Sequence, residues 1–180
     1  MKNKILIVID MQNDFIDGAL ANPEAQKIVD KTAKLVANWE GDIIFTRDTH
    51  NSVEYPSSLE GRYLPTLHCV ENTDGWQINE KIIGAAKKNK KARVAFLNKG
   101  QFGAGASLTA TISRLSPTCD GIYFCGTCTD ICVISNVLPI KASFSETPIY
   151  IYEKLCAGLT VEKHKAAIEV MKSCQVEIIK

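Results

Sequence analysis

Three side chains that could perform nucleophilic chemistry lie at or just beyond the carboxyl ends of short apolar runs. They are Asp10, Lys99 and Cys132, which supply a carboxylate, an ammonium and a thiol. Taken singly, such residues are usually a helix cap, a solvent-exposed charge and a small core residue. If the runs are parallel strands, the three groups converge on one crevice. There a carboxylate can accept the thiol proton and an ammonium favours the thiolate, so the spacing indicates covalent catalysis.

The residues around Cys132 strengthen this interpretation. Segment 126–132 places a turn rich in Gly and Thr before a predicted helix, and Thr129 and Asp130 are good residues for capping the helix N-terminus. Cys132 then lies in the first helical turn, where the helix dipole and unpaired backbone N–H groups stabilise a thiolate. The same N–H groups can hold an oxyanion, so one turn would supply both the nucleophile and its oxyanion hole.

A second set of candidate residues lies in the polar stretch 46–74. Asp48 and His50 are separated by one residue in an extended strand exit, so both side chains point the same way. His68 lies further along the same loop, and Glu60 comes eight residues before it. Two histidines and two carboxylates form a mixed nitrogen and oxygen set suited to Zn, Mn or Fe. Hydrogen bonding within the loop is the alternative explanation.

Apolar runs rich in β-branched residues alternate with segments of helical spacing along the chain, which predicts a parallel sheet with helices on both faces. We expect one domain, residues 1–180, with a three-layer, doubly wound α/β fold of about six mostly parallel strands that binds ligands at their carboxyl ends. The stretch 46–74 shows no convincing periodicity, and loops of that length are usually functional or disordered. The predicted strands are 5–9, 42–46, 93–97, 121–125, 149–152 and 176–179.

Length and composition restrict the class of protein. The chain has 180 residues, 46% of them apolar, and a formal net charge of +1. A chain of this size buries roughly 70% of its unfolded surface, so it needs neither disulfides nor a structural metal to fold. The balanced charge argues against a dedicated nucleic-acid binder. The lysine cluster within 87–91 is typical of a solvated turn.

The N-terminal and cysteine patterns predict a cytoplasmic protein. Only five apolar residues precede Asp10, too few for a signal peptide or a membrane span. The seven cysteines are odd in number and scattered, which suits reduced thiols. We expect a small-molecule substrate and a homo-oligomer, with no organic cofactor and neither nucleic acid nor membrane as a partner.

Five ordered motifs give the chain a resemblance to a known family. They are Ile7-Val-Ile-Asp-Met-Gln-Asn-Asp-Phe15 with Gly18, Thr46-Arg-Asp-Thr-His50, Leu64-Pro65 through His68-Cys69, Asn98-Lys-Gly-Gln-Phe102, and 126–133. Over essentially its whole length the sequence resembles the isochorismatase-like cysteine hydrolases, and within them the nicotinamidases and pyrazinamidases. The resemblance implies that Asp10, Lys99 and Cys132 are catalytic. It also implies a non-proline cis peptide between Thr127 and Cys128, aiming the N–H of Cys128 at the oxyanion.

The same resemblance implies one divalent metal, Zn, Mn or Fe, that binds the pyridine nitrogen of the substrate and presents its carboxamide to Cys132. The predicted ligands are Asp48, His50, His68 and Glu60. The fourth ligand varies within the subgroup, and Glu54 is also within reach of the loop. The residues expected to line the substrate ring are Phe15, Phe102 and Leu64.

Two positions depart from the nicotinamidase pattern. Leu64 precedes Pro65 where those enzymes commonly have a Trp, so sandwiching of the ring is not predicted there. Pro139, seven residues after Cys132, predicts a kink or an early break in the nucleophile helix. Neither departure touches the three catalytic residues. The third histidine, His164, is interpreted as a surface or packing residue of the last predicted helix.

The predicted function is hydrolysis of a small carboxamide, most simply nicotinamide to nicotinate and ammonia, through a thioester on Cys132. A carbamoyl amide or an isochorismate-like ether is the alternative substrate within the family. Outside the family, Cys125-Gly-Thr-Cys128 together with Cys132 could form a thiol-exchange or zinc site. The same fold could also serve a noncatalytic binding protein. The redox alternative leaves Asp10 and Lys99 without a role.

Overall fold

The computed structural model describes residues 3–180 and contains a sheet of six parallel strands. The strands are β1 Lys4–Ile9, β2 Asp42–Asp48, β3 Val94–Lys99, β4 Gly121–Thr127, β5 Ile149–Ala157 and β6 Glu177–Ile179. Their order in the sheet is β3-β2-β1-β4-β5-β6. That is the order of a doubly wound α/β fold, so the predicted fold class is confirmed.

Helices cover both faces of the sheet. The α-helices are α1 Asn13–Ile16, α2 Pro23–Asn38, α3 Leu59–Tyr63, α4 Glu80–Lys88, α5 Gly105–Leu115, α6 Ile134–Ser143 and α7 Val161–Ser173, and a π-helical turn, Thr129–Val133, leads into α6. With the right-handed crossovers that parallel strands almost always have, α2 and α4 lie on one face and α5, α6 and α7 on the other. The contacts agree, because α2 packs on α4 while α6 packs on α5 and α7.

Strand residues that face both helical layers form the core. The side chains of Ile5–Ile9 are fully buried, as expected for a central parallel strand with helices on each side. Strand β3 lies at the edge of the sheet, and Phe96 on it is 47% exposed. Within residues 3–180, no helix combines the length and apolar character needed to cross a bilayer.

Four strands extend beyond their predicted ends. Strand β2 continues to Asp48, β3 to Lys99, β4 to Thr127 and β5 to Ala157. Polar residues at these ends do not fit an apolar pattern, although backbone pairing keeps them in the sheet. Asp48 and Lys99 are paired residues of adjacent strands, and this pairing brings the two predicted sites together.

The stretch 46–74 contains two short helical segments that its sequence did not predict. A 3₁₀ turn spans Tyr55–Ser57, and α3 follows Ser58, whose hydroxyl oxygen accepts a hydrogen bond from the N–H of Gly61. Segments of three to five residues are too short to show a helical repeat.

Helix α6 continues past Pro139 to Ser143, so the predicted early break is wrong. Pro139 has no N–H to donate to the carbonyl of Ser135. That carbonyl packs instead against Gly103, where a Cβ atom would lie 2.6 Å from its oxygen. The buried side chain of Asn136 also ties the helix to the preceding loop, since it donates to the carbonyl of Phe102. These tertiary contacts hold the helix across the missing hydrogen bond.

The direction of winding reverses between β1 and β4, the central strands of the sheet. Ligands of doubly wound folds bind at such a switch point, outside the carboxyl ends of the strands. Asp10 follows β1 directly, and the turn that carries Cys132 follows β4. The fold therefore directs attention to this edge of the sheet.

Candidate active site and metal centre

Asp10 is fully buried immediately beyond β1. Its φ of 48° lies in the left-handed region, which residues other than glycine seldom adopt. Two hydrogen bonds with Thr46 support it: the Asp10 N–H donates to Oγ1 at 3.2 Å, and that hydroxyl donates to Oδ1 of Asp10 at 2.6 Å. Thr46 is thus a positioning residue for the carboxylate, a role that the sequence alone did not indicate.

Lys99 joins Asp10 to Cys132. Its ammonium nitrogen lies 2.7 Å from Oδ2 of Asp10 and 3.8 Å from Sγ of Cys132, and all three side chains are buried. The structure therefore brings together the three residues that the sequence singled out as catalytic. They come from the ends of three strands that are far apart in the chain.

Burial and mutual charge set the protonation of this group. Burial disfavours the ammonium of Lys99, but the attraction of Asp10, Cys132 and Asp48 outweighs it and raises the pKa of Lys99. Burial, assisted by the Asp10 carboxylate, raises the pKa of the Cys132 thiol well above its ordinary value. Burial also raises the pKa of Asp10, against the opposing effect of Lys99. Burial therefore favours the protonated thiol over the thiolate, and it opposes the stabilisation expected from the helix dipole.

Cys132 lies on the π-helical turn between β4 and α6. The peptide bond between Thr127 and Cys128, immediately before this turn, is cis. The carbonyl of Cys128 accepts hydrogen bonds from the N–H groups of Ile131 and Val133. These bonds fix the backbone on both sides of the nucleophile.

The predicted capping of this turn by Thr129 and Asp130 is wrong, because both residues lie inside the turn and Cys128 occupies the capping position without a side-chain bond. Oγ1 of Thr129 lies 2.8 Å from Nδ1 of His164. Asp130 accepts a hydrogen bond from the N–H of Leu159. Both side chains therefore attach the nucleophile turn to the region where β5 leads into α7. His164 is a half-buried tether for this turn.

Four potential metal donors, from Asp48, His50, Glu60 and His68, lie within 4.8 Å of one another. Nε2 of His50 lies 3.1 Å from Oδ2 of Asp48 and 3.7 Å from Oε1 of Glu60. Nε2 of His68 lies 3.6 Å and 3.8 Å from the same two oxygens. Donors about 2.1 Å from a tetrahedral ion are roughly 3.4 Å apart, so the spacing fits one small divalent cation. The structure thus contains a possible metal-binding site that includes Glu60, whereas Glu54 lies outside this cluster.

The surroundings of the histidines orient their ligating nitrogens. Nδ1 of His68 lies 2.9 Å from the carbonyl oxygen of Thr66, a partner that leaves Nε2 facing the cluster. The ring of Tyr55 packs against both His50 and His68, with centroid distances of 4.5 Å and 5.3 Å. The Tyr55 hydroxyl donates to the carbonyl of Leu64, which fixes the loop. Sequence analysis did not identify Tyr55, because its role depends on this packing.

Two polar residues of the first motif hold the loop that carries the metal-binding cluster. The buried amide of Gln12 donates to the carbonyls of Asp48 and Trp76, and its oxygen accepts from the N–H of Asp48. Asp14 accepts a hydrogen bond from the N–H of Cys69. Polar residues inside an otherwise apolar motif were the only sequence signal for this role.

A cavity of about 1020 Å³ adjoins the metal-binding cluster and reaches helix α6. His50 and Glu60 line it, and so does Ile131, the residue before Cys132 in the chain. Leu64 and Phe102 also line the cavity, as proposed for the walls of a substrate pocket.

Phe15, the third residue proposed to line the ring, lies in a different environment. It packs in a small buried cluster with Cys69 and Trp76, and its ring centroid is 5.5 Å from that of His68. Phe15 does not line the cavity, whereas Leu64 and Phe102 do.

The sequence matches the Isochorismatase domain family over residues 4–180. The chain therefore belongs to the isochorismatase family, and the predicted family is confirmed. No curated protein gave a significant match to the chain.

Solved structures resemble the chain over nearly its full length. A nicotinamidase, PncA, from Bacillus subtilis is 25% identical with a TM-score of 0.81, and each chain is covered completely. A pyrazinamidase from Pyrococcus horikoshii in complex with zinc is 27% identical with a TM-score of 0.79, and 99% of each chain is covered. An N-carbamoylsarcosine amidase from Thermoplasma acidophilum, 23% identical with a TM-score of 0.77, shares the fold, with 100% of this chain and 96% of that chain covered.

Proposed function

We propose that this single domain is a metal-dependent nicotinamidase that hydrolyses nicotinamide to nicotinate and ammonia. The observation that carries the proposal is the position of Lys99, 2.7 Å from Asp10 and 3.8 Å from Cys132, directly beside a cluster of four metal donors. The nucleophile Cys132, its base Asp10 and a metal site that could bind a ring nitrogen therefore lie in one small region. The family match and the nicotinamidase and pyrazinamidase structures support an amidohydrolase.

Asp10 serves as the general base. The Cys132 thiol transfers its proton to Asp10 as the sulfur attacks the carboxamide carbon, and the developing oxyanion is held by the N–H groups of Cys128 and Cys132. The carbon–nitrogen bond then breaks while Asp10 returns the proton to the departing ammonia, leaving a thioester. Water, deprotonated by Asp10, hydrolyses the thioester and releases the carboxylate. Lys99 keeps the charge of the buried group balanced throughout.

Asp48, His50, Glu60 and His68 would hold the metal, and zinc is our first choice because the donor set suits it and the Pyrococcus horikoshii pyrazinamidase is in complex with zinc. When bound, the ion supplies a Lewis acid for the lone pair of the pyridine nitrogen. The cavity walls at Leu64 and Phe102 then restrict the ring. A homo-oligomeric state and a cytoplasmic location stay predictions.

A carbamoyl compound is the second candidate substrate, since an N-carbamoylsarcosine amidase has the same fold. The metal-donor cluster favours the pyridine carboxamide, because a ring nitrogen gives the ion a partner. The Cys-x-x-Cys redox alternative is disfavoured, because Cys125 is fully buried in β4 and burial raises its pKa well above the ordinary value.

The test is ammonia release by the purified protein with nicotinamide, pyrazinamide and N-carbamoyl compounds. We expect turnover of both aromatic carboxamides and little turnover of the carbamoyl compounds. The reverse ranking would assign the chain to carbamoyl substrates. Absence of ammonia release from every amide would contradict the amidohydrolase proposal.

A further inference from the structure

The cavity extends far beyond the space that nicotinamide needs. Its volume of about 1020 Å³ is at the upper end of the roughly 300–1,000 Å³ typical of pockets for drug-sized ligands. His50 and Glu60 of the metal-donor cluster line the cavity, and so do Ser135 and Pro139 of α6. A second part of the cavity is therefore left over after a single ring has been placed.

Two residues of α6 and one of the preceding π-helical turn form one side of this outer part. Ser135 and Pro139, four positions apart, lie on one face of α6, and Ile131 of the π-helical turn also lines the cavity. The helical rise gives about 12 Å between Ile131 and Pro139. A pyridine carboxamide is roughly 6 Å long from ordinary bond lengths, so it cannot reach from Cys132 to Pro139.

The opposite side of the outer part is also apolar. Leu59 and Tyr63 of α3 line it and remain 64% and 84% exposed, and Phe102 is 44% exposed. Large apolar side chains gathered at the mouth of a binding site indicate an apolar ligand group. We call the space between these residues and the Ile131–Pro139 side the outer groove.

The burial of Asp10 indicates which part of a substrate could extend into the outer groove. In the proposed mechanism the amide nitrogen leaves toward Asp10, which is fully buried and contacts Thr46 and Lys99. The ring nitrogen would then lie toward His50 and Glu60, which line the cavity. In that pose the ring, rather than the amide, carries the substituent that reaches the outer groove.

We propose that the outer groove is a subsite for an apolar substituent on the ring of a pyridine carboxamide, so that the chain prefers a ring-alkylated substrate over nicotinamide itself. The inference rests on the proposed function and specifies its substrate class. Pro139 and Tyr63 act as specificity-determining residues at the two sides of the groove.

The test compares kcat/KM for nicotinamide with that for its 5-butyl and 6-butyl derivatives. We expect the better derivative to exceed nicotinamide by about tenfold or more, because its chain is removed from water in the groove. Pro139→Trp should fill the groove and reduce this ratio to about one. Pro139→Ala is the matched control, since it also restores a backbone N–H to α6 but leaves the groove open, and it should keep the wild-type ratio.

The outcomes separate this inference from the proposed function. Turnover of nicotinamide with a ratio near one in the wild type overturns the outer subsite and leaves the nicotinamidase proposal standing. Turnover of a butyl derivative alone supports the subsite and rejects nicotinamide as the substrate. A Trp variant that keeps the wild-type ratio overturns the placement of the subsite, and a protein that hydrolyses none of the three compounds overturns both proposals.

Discussion

Oδ1 of Asp48 lies 3.4 Å from the ammonium nitrogen of Lys99. The other oxygen of the same carboxylate lies 3.1 Å from Nε2 of His50. One buried side chain therefore contacts both the proposed catalytic group and the metal-donor cluster. Because Asp10 is closer to Lys99, at 2.7 Å, it remains the principal partner of the ammonium.

Metal removal should therefore affect substrate binding more than the nucleophile. We expect the purified protein to hold about one equivalent of metal, as zinc-type sites do. In the metal-free protein, Cys132 should react with iodoacetamide within about threefold of the native rate, because Asp10 keeps Lys99 in place. A silent thiol after metal removal would show that the ion controls the nucleophile through Asp48.

The identity of the fourth ligand can be tested with a matched pair of glutamates. Glu60→Gln should weaken metal binding by about tenfold or more, because a neutral amide is a poor ligand. Glu54→Gln is the control, since Glu54 lines the cavity but lies outside the donor cluster. Metal content after dialysis against a weak chelator measures the difference. Equal losses in the two variants would reject Glu60 as a specific ligand.

Cys132→Ala should lower kcat by at least about 10³, because covalent catalysis is lost while the fold remains. Cys128→Ser should be much milder, since only the backbone of Cys128 is assigned a role. Steady-state kinetics and a circular dichroism spectrum of each variant provide the comparison. Similar losses in both variants would instead favour a reaction that uses both thiols.

Thr46→Val should shift the acid limb of kcat/KM to higher pH. The Thr46 hydroxyl donates to Oδ1 of Asp10 and so favours the ionised carboxylate, partly offsetting the rise in pKa caused by burial. Its loss raises the pKa of Asp10 further, and the base stays protonated up to a higher pH. We expect a shift of about one pH unit. An unchanged limb would mean that Asp10 is not the group that titrates.

The stability of the protein should fall in mild acid partly because of His164. Burial lowers the pKa of His164, outweighing the attraction of Glu153 and Asp130. The unfolded chain therefore binds a proton at this residue more readily than the folded chain, so the free energy of unfolding decreases as pH falls through about 6.5. His164→Gln should flatten this part of the profile in urea titrations between pH 5 and 8. An equally steep profile in the variant would assign the effect to other groups.

Two glycines provide a test of the switch point. Gly126 in β4 has φ +126°, and a Cβ atom there would overlap the carbonyl oxygen of Ile9, so Gly126→Ala should destabilise the fold by about 3 kcal/mol or more. Gly84 in α4 has open space around it, and Gly84→Ala should stabilise the protein by about 0.5–1 kcal/mol. Urea unfolding of both variants measures the contrast. A neutral Gly126→Ala would show that β1 and β4 can separate slightly at this position.

The sequence by itself was sufficient to predict the doubly wound fold, because apolar strands and amphipathic helices leave local periodic patterns. It also indicated Asp10, Lys99 and Cys132, since the carboxyl ends of parallel strands meet at one edge of a sheet. The pairing of Asp48 with Lys99 was hidden, because polar strand ends carry no apolar signal.

Only the tertiary structure decided which residues support the catalytic group and the metal-donor cluster. Thr46 beneath Asp10 and Tyr55 beside the histidines depend on contacts between segments distant in the chain. The choice of Glu60 over Glu54 depends on a helical turn too short to predict. The raised pKa of Cys132 follows from burial, and burial is a property of the assembled fold rather than of any local pattern.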